Sequence, residues 1–189
     1  MRSAWMVLVL AACGGGGGSG SSDKLVFVTA SDFDGGFGAG QAATIDAAAI
    51  ADTQCQTAAQ GAGHDGTFVA WMSRTASSAQ PQRNAIDVIQ SEGPWRTTNG
   101  DMAFLNHSAL ANSPQTGVQW DEYGQDQYGI VWTGTKTGGT LSTGTDCQSW
   151  HSGDFSVMGV VGQASGGSQW TDAGDFPCDQ RAHLYCFEL

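Results

Sequence analysis

The sequence predicts an α+β domain, and three observations carry that expectation. A single clear helical pattern occurs early, and short strand patterns then run to the C-terminus. Glycine is abundant (28 residues) while charged residues make up only 13%. A regular alternation of strands and helices would have pointed instead to a parallel α/β sheet. With 40% hydrophobic residues the chain holds enough apolar side chains for a core, so it is loop-rich rather than disordered. Residues 23–189 are long enough for one domain.

Taken in order, residues 24–29 combine β-branched and aromatic side chains (Val26, Phe27, Val28, Thr29) and form the first expected strand. Residues 30–41 read as a glycine-punctuated loop. Ala51, Cys55, Ala58 and Ala59 recur at helical spacing, which predicts a helix within residues 45–60, and Gly61 stands where a C-terminal cap belongs. A face of such small side chains suits close packing on a sheet, with Cys55 turned inward. In residues 66–73 both faces are apolar, Phe68, Ala70 and Met72 alternating with Val69 and Trp71, which predicts a buried central strand. Residues 75–84 are a polar loop, and residues 86–89 fit a short strand or one helical turn equally well. Beyond Trp95, strands are expected at 102–105, 117–120 and 130–132, with a last one at 184–188.

The N-terminus carries a separate signal. Arg2 precedes an apolar run over residues 4–12, the layout of a secretory leader. The run falls well below the roughly 20 apolar residues of a membrane-spanning helix. Leu10-Ala11-Ala12-Cys13 resembles a bacterial lipobox, in which cleavage leaves the cysteine as a lipid-bearing N-terminus. The resemblance implies a signal peptide over residues 1–12, lipid on Cys13, and a Gly/Ser tether up to residue 22, with a reach of about 15–20 Å. It places the protein in the bacterial cell envelope, held to a membrane by its lipid. Without an aspartate after Cys13, the pattern is similar to that of outer-membrane lipoproteins. Setting Cys13 aside leaves Cys55, Cys147, Cys178 and Cys186, which an oxidising compartment allows to pair in any of three ways. A formal charge of −11 with only 7 basic residues argues against nucleic acid and anionic headgroups as direct partners.

Three blocks then resemble a known family. Ala51-Asp52-Thr53-Gln54-Cys55-Gln56, followed by Ala58-Ala59 and residues 66–73, resembles the helix-and-strand signature of a domain of unknown function common in bacterial lipoproteins and itself similar to endostatin. The second block comprises Asp121-Glu122, residues 131–135, Gly138-Gly139 and Cys147-Gln148-Ser149-Trp150. The third comprises Trp170-Thr171-Asp172, Cys178, Arg181 and residues 184–188. Together they cover nearly all of residues 23–189 in the family's order. The resemblance implies a C-type-lectin-like, endostatin-like fold with nested disulfides Cys55–Cys186 and Cys147–Cys178. The loop over residues 35–49 is longer than the family's usual connection into the helix.

Calcium-dependent sugar-binding members of that superfamily use a proline-centred tripeptide of carboxylates and amides, plus a tryptophan–asparagine–aspartate segment near the end. Oxygen ligands converging in a loop are what calcium requires. Here Trp170-Thr171-Asp172 has Thr171 in place of the asparagine, and Ser113-Pro114-Gln115 does not replace the tripeptide. Asp32-Phe33-Asp34-Gly35 lacks the further ligands of a calcium loop. His64, His107, His151 and His183 show no paired metal-ligand spacing, and endostatin's N-terminal zinc histidines have no counterpart near Asp23. No metal or other cofactor is therefore expected. The candidate binding residues are Asp121, Glu122 and Asp126, beside Tyr123 and Tyr128, together with Asp172. The plainer reading of residues 121–126 is a solvated turn capped by Gly124. Without a nucleophile elbow, the expected function is non-catalytic binding of a glycan or protein. The alternatives are a structural envelope lipoprotein without a discrete ligand, and a hydrolase built from scattered residues.

Overall fold

The two ends of the domain pair with each other. In a computed structural model that describes residues 23–189, β1 (Lys24–Val28) runs antiparallel to the last strand, β10 (Tyr185–Glu188), with Phe27 opposite Cys186. The leader over residues 1–12, Cys13 and the tether lie outside the described residues. Between the ends come α1 (Ala47–Gly61), β2 (Phe68–Ala70), α2 (Ala85–Val88), β3 (Trp95–Thr97) and β4 (Met102–Phe104). They are followed by β5 (Ile130–Trp132), β6 (Thr135–Lys136), β7 (Thr140–Leu141), β8 (Met158–Gln163) and β9 (Gly174–Pro177). The main sheet has five strands in the order β2-β10-β1-β3-β4, with β1 and β3 parallel and the other pairs antiparallel. A second sheet is ordered β5-β8-β9, and β6 pairs with β7. The architecture is mixed α+β, mostly strands, with one main helix. No helix among the described residues is long and apolar enough to cross a membrane.

Side-chain alternation along the strands places a core on each face of the main sheet. Phe27, Phe68, Ala70 and Cys186 point into one cluster, which includes Trp132 and Trp150 and is covered by the buried Ala47, Ala48, Ala51, Cys55 and Ala59 of α1. Small side chains let the helix axis come close to the strands. On the other face Val26, Val28, Tyr185 and Phe187 meet Trp71, Trp95, Phe104 and Trp170. Trp71 and Trp170 have ring centroids 4.8 Å apart, and Trp170 and Phe104 are 5.0 Å apart. Buried disulfides join Cys55 to Cys186 and Cys147 to Cys178, the pairs that the family resemblance implies. The first ties α1 to β10 across a sequence separation of 131 residues, and such cross-links contribute about 2–5 kcal/mol each.

Several local expectations need correction. Gly61 does not cap α1: it is the last helical residue, Ala62 takes the cap position, and Gly63 supplies the left-handed conformation at φ +80°. The chain reverses one turn-step later than the sequence pattern indicates, at a glycine for which this φ is inexpensive. β2 is an edge strand, not a central one. Its outer edge is closed by side chains: Ala70 N–H donates to Asp52 Oδ1 (2.8 Å) and Phe68 N–H to Gln56 Oε1 (2.9 Å). The Ala70 carbonyl accepts from Arg83, whose guanidinium also holds both oxygens of Asp52 at 2.7 Å. Apolar residues on both faces therefore reported the packing of the faces, while the edge is protected by side chains of α1 and by Arg83. Residues 117–120 form no strand, only a bridge between Trp120 and Asp126. Of residues 86–89, the first three resolve as helix within α2 and Ile89 is its extended C-terminal cap.

Candidate functional site

Four successive non-glycine residues, Cys147, Gln148, Ser149 and Trp150, have φ values of +50°, +56°, +57° and +65°. Left-handed helical backbone costs L-residues roughly 1–2 kcal/mol each, because Cβ crowds the following carbonyl. Such a turn persists only where its surroundings over-determine it, and these do. Cys147 is pinned by its disulfide to Cys178. Asp146, buried, accepts Ser149 N–H on Oδ1 (3.1 Å) and Thr75 N–H on Oδ2 (2.6 Å). The buried Trp150 indole donates to the Ser73 carbonyl at 2.8 Å, and Ser149 Oγ donates to the Thr75 carbonyl at 3.2 Å. Gly35 and Gly159 make room for the sulfur, since a Cβ on either would lie within 2.4 Å or 2.7 Å of Cys147 Sγ.

This turn forms one wall of an open cleft of about 480 Å³, whose lining includes Thr75, Gln148, Ser149, Ser156 and Met158. The Gln148 side chain is exposed and makes no hydrogen bond among the described residues. Both oxygens of Asp146 are occupied by backbone N–H groups, so that carboxylate acts as scaffold. Ser156 donates through N–H and Oγ to Asp154 Oδ1 (2.8 and 2.6 Å), holding the Asp154 carboxyl below the usual carboxylate range. What the cleft offers a ligand is therefore a neutral amide and hydroxyls, beside the apolar Val157 and Met158.

The residues singled out from sequence lie elsewhere and do not converge. Asp121 and Glu122 are not on a solvated turn: they are 1% and 6% exposed. Asp121 Oδ1 accepts N–H groups of Tyr123 and Gln125 at 2.9 and 2.8 Å, folding the turn around itself, while Glu122 Oε2 accepts Ala30 N–H at 2.8 Å. Asp126 is exposed, and its hydrogen bond and charge raise the pKa of the Tyr128 phenol. Asp172 is half-buried and has no side-chain hydrogen bond among the described residues. Trp170 and Thr171 are core residues: Thr171 Oγ accepts from the Trp71 indole at 2.8 Å, and its carbonyl accepts from Thr133 Oγ at 2.7 Å. Asp32 is ion-paired with Arg181, whose hydrogen bond lowers its pKa, and Asp34 caps Gly36 N–H. Each histidine contacts backbone carbonyls: His64 that of Glu122, His107 that of Ile86, His151 those of Gly38 and Ile45, and His183 that of Ser31. Among the described residues no three His, Cys, Asp or Glu side chains gather as a metal site would require.

Sequence reasoning missed the cleft because nothing in Gln148 or Ser149 announces left-handed backbone, which glycine and asparagine usually mark. Only Cys147 hinted at a fastened turn there. The chain matches no protein-family model and no curated protein sequence.

Proposed function

We propose that this chain is a lipid-anchored protein of the bacterial outer membrane whose endostatin-like, C-type-lectin-like domain is a non-catalytic module binding a glycan in the cleft beside the left-handed turn. The carrying observation is that turn: four strained residues held by a buried aspartate, a disulfide and a buried indole, with Gln148 left free at the rim. Strain fixed in this way pre-organises a surface and lowers the ordering cost of binding. A neutral amide, hydroxyls and a small apolar patch complement the hydroxyls and C–H face of a sugar ring. Among the described residues no imidazole lines the cleft, and Ser149 Oγ is already engaged as a donor, which favours recognition over hydrolysis.

The test is an oligosaccharide array probed with the detergent-solubilised full chain. Retention of at least one oligosaccharide is expected, reduced about tenfold or more in Gln148→Ala with unchanged thermal stability, as for a lost ligand hydrogen bond. It should survive a chelator, because Thr171, at the superfamily's calcium position, is committed to the core. An array without retention, or equal retention by Gln148→Ala, overturns the assignment of this cleft.

The anchor has its own test. Mass spectrometry of the exported protein should find an N-terminal Cys13 carrying acyl chains, and Cys13→Ser should release the protein from membranes. Each buried methylene adds about 0.8 kcal/mol of membrane affinity, so several chains hold where one does not. An unmodified Cys13 in exported protein would falsify the lipoprotein reading.

A further inference from the structure

A second cleft, of about 290 Å³, opens between α1 and the loop following β1. Its lining includes Phe33, Gln54, Ala58, Glu122 and Tyr123. Glu122 is more than nine-tenths buried, yet only one of its oxygens is used by the fold: Oε2 accepts Ala30 N–H, while Oε1 has no hydrogen-bond partner among the described residues. No side-chain polar atom that is fully buried lacks a partner there, so Oε1 must reach the solvent of the cleft that Glu122 lines. Among the described residues no lysine or arginine lines the cleft beside it. A carboxylate oxygen left without a protein partner in the wall of a cleft is a ready acceptor for a cationic donor.

The rest of the lining narrows the ligand. Thr29 Oγ and Thr57 Oγ already donate to the carbonyls of Ser31 and Thr53, at 2.7 and 2.8 Å. Phe33 and Ala58 provide apolar wall, and Gly61 has no side chain to fill the space below Tyr123. We propose that this cleft binds the side chain of a lysine presented by a peptide. Its ammonium pairs with Glu122 Oε1, and its methylene stem lies along Phe33 and Ala58, within reach of the Phe33 and Tyr123 rings. A sugar amine would set ring hydroxyls against the Phe33 and Ala58 wall, whereas a lysine stem is apolar along that length. The net charge of −11 draws a cationic segment toward the surface. This site is independent of the glycan cleft in place and in ligand chemistry.

The experiment is an NMR titration of the full chain in micelles with three probes: Nα-acetyl-lysine methylamide, its Nε-acetylated counterpart, and glucosamine. Saturable shifts are expected at the amides of Gln54, Thr57, Glu122 and Tyr123 with the first probe. Binding should weaken about tenfold or more on Nε-acetylation and in Glu122→Gln, the loss of a charge-assisted hydrogen bond. Glutamine keeps the bond from Ala30 N–H through its amide oxygen and turns a donor into the cleft. Gly61→Met fills the cleft without touching Glu122 and should abolish the shifts. The glycine lies in helical backbone, with only the Tyr123 hydroxyl within 4 Å of a Cβ there. Absence of saturable shifts overturns the proposal, as do shifts undiminished in folded Glu122→Gln or tighter binding of glucosamine. Should Glu122→Gln not fold, undiminished binding by Gly61→Met overturns it alone.

Discussion

Asp46→Ala is expected to destabilise the domain by about 3–5 kcal/mol, the cost of leaving a buried cation without its partner. Arg74 is only 4% exposed, and Asp46 holds it in a two-oxygen grip: Nε on Oδ1 at 2.9 Å and Nη2 on Oδ2 at 3.0 Å. The same carboxylate caps α1, with Oδ1 accepting the N–H groups of Ala48 and Ala49, a contribution of about 1 kcal/mol in itself. Burial opposes ionisation of Asp46, but the hydrogen bond and charge of Arg74, with Ala49 N–H, outweigh it and hold the pKa below its ordinary value. The sign of the pH dependence follows. A carboxyl whose folded pKa is depressed stabilises fully above its unfolded pKa of about 3.9, and that contribution is lost as pH falls through the lower folded value. Asp46→Asn, which can still cap the helix, should therefore differ most from the natural chain at neutral pH and converge with it in acid. Urea titrations at several pH values check both; a neutral-pH loss below about 1 kcal/mol for Asp46→Ala would place the pair among ordinary surface ion pairs.

Gly162→Ala should cost about 3 kcal/mol or more, because the added carbon meets backbone and no rotamer can relieve it. A Cβ at Gly162 would stand 1.8 Å from the Trp170 carbonyl oxygen and 2.6 Å from its carbon. Relief requires moving either β8, paired here through Gly162 to Val131, or the segment carrying Trp170 into its aromatic cluster. Gly138→Ala is the control: nothing lies within 4 Å of the new carbon, and only the φ of +94° opposes it, a penalty of about 1 kcal/mol. Thermal melts of the two variants separate overlap from backbone strain, and equal losses would refute the steric account.

These two positions also show how far the sequence could be read. β1, α1 and β10 were legible because their apolar residues repeat at the period of the element and are not interrupted. β8 is the longest strand among the described residues but carries Gly159 and Gly162, each demanded by a neighbouring segment outside the strand: Cys147 Sγ and Trp132 for one, the Trp170 backbone for the other. Those glycines erase the periodicity that would have marked the strand. The place of β2 at a sheet edge was illegible for another reason, since apolar faces say nothing about which groups sit alongside in the plane. Asp121 and Glu122 read as solvated because a carboxylate's partners, here backbone N–H groups brought from residues 30, 123 and 125, leave no trace in composition. The cleft of residues 75 and 144–158 depended on left-handed backbone at side chains that seldom adopt it.

The placement of β1 has a mechanical consequence. A force applied at the N-terminal end of the domain would enter through Lys24 into a strand flanked by β10 and β3. Ladder hydrogen bonds lie across the strand direction, so a pull along β1 loads both rows in parallel instead of opening them one rung at a time. The neighbour β10 is in turn stapled to α1 by Cys55–Cys186. A pull on the N-terminal end of the domain thus meets a shear-loaded seam, which yields only when both rows of hydrogen bonds give way together.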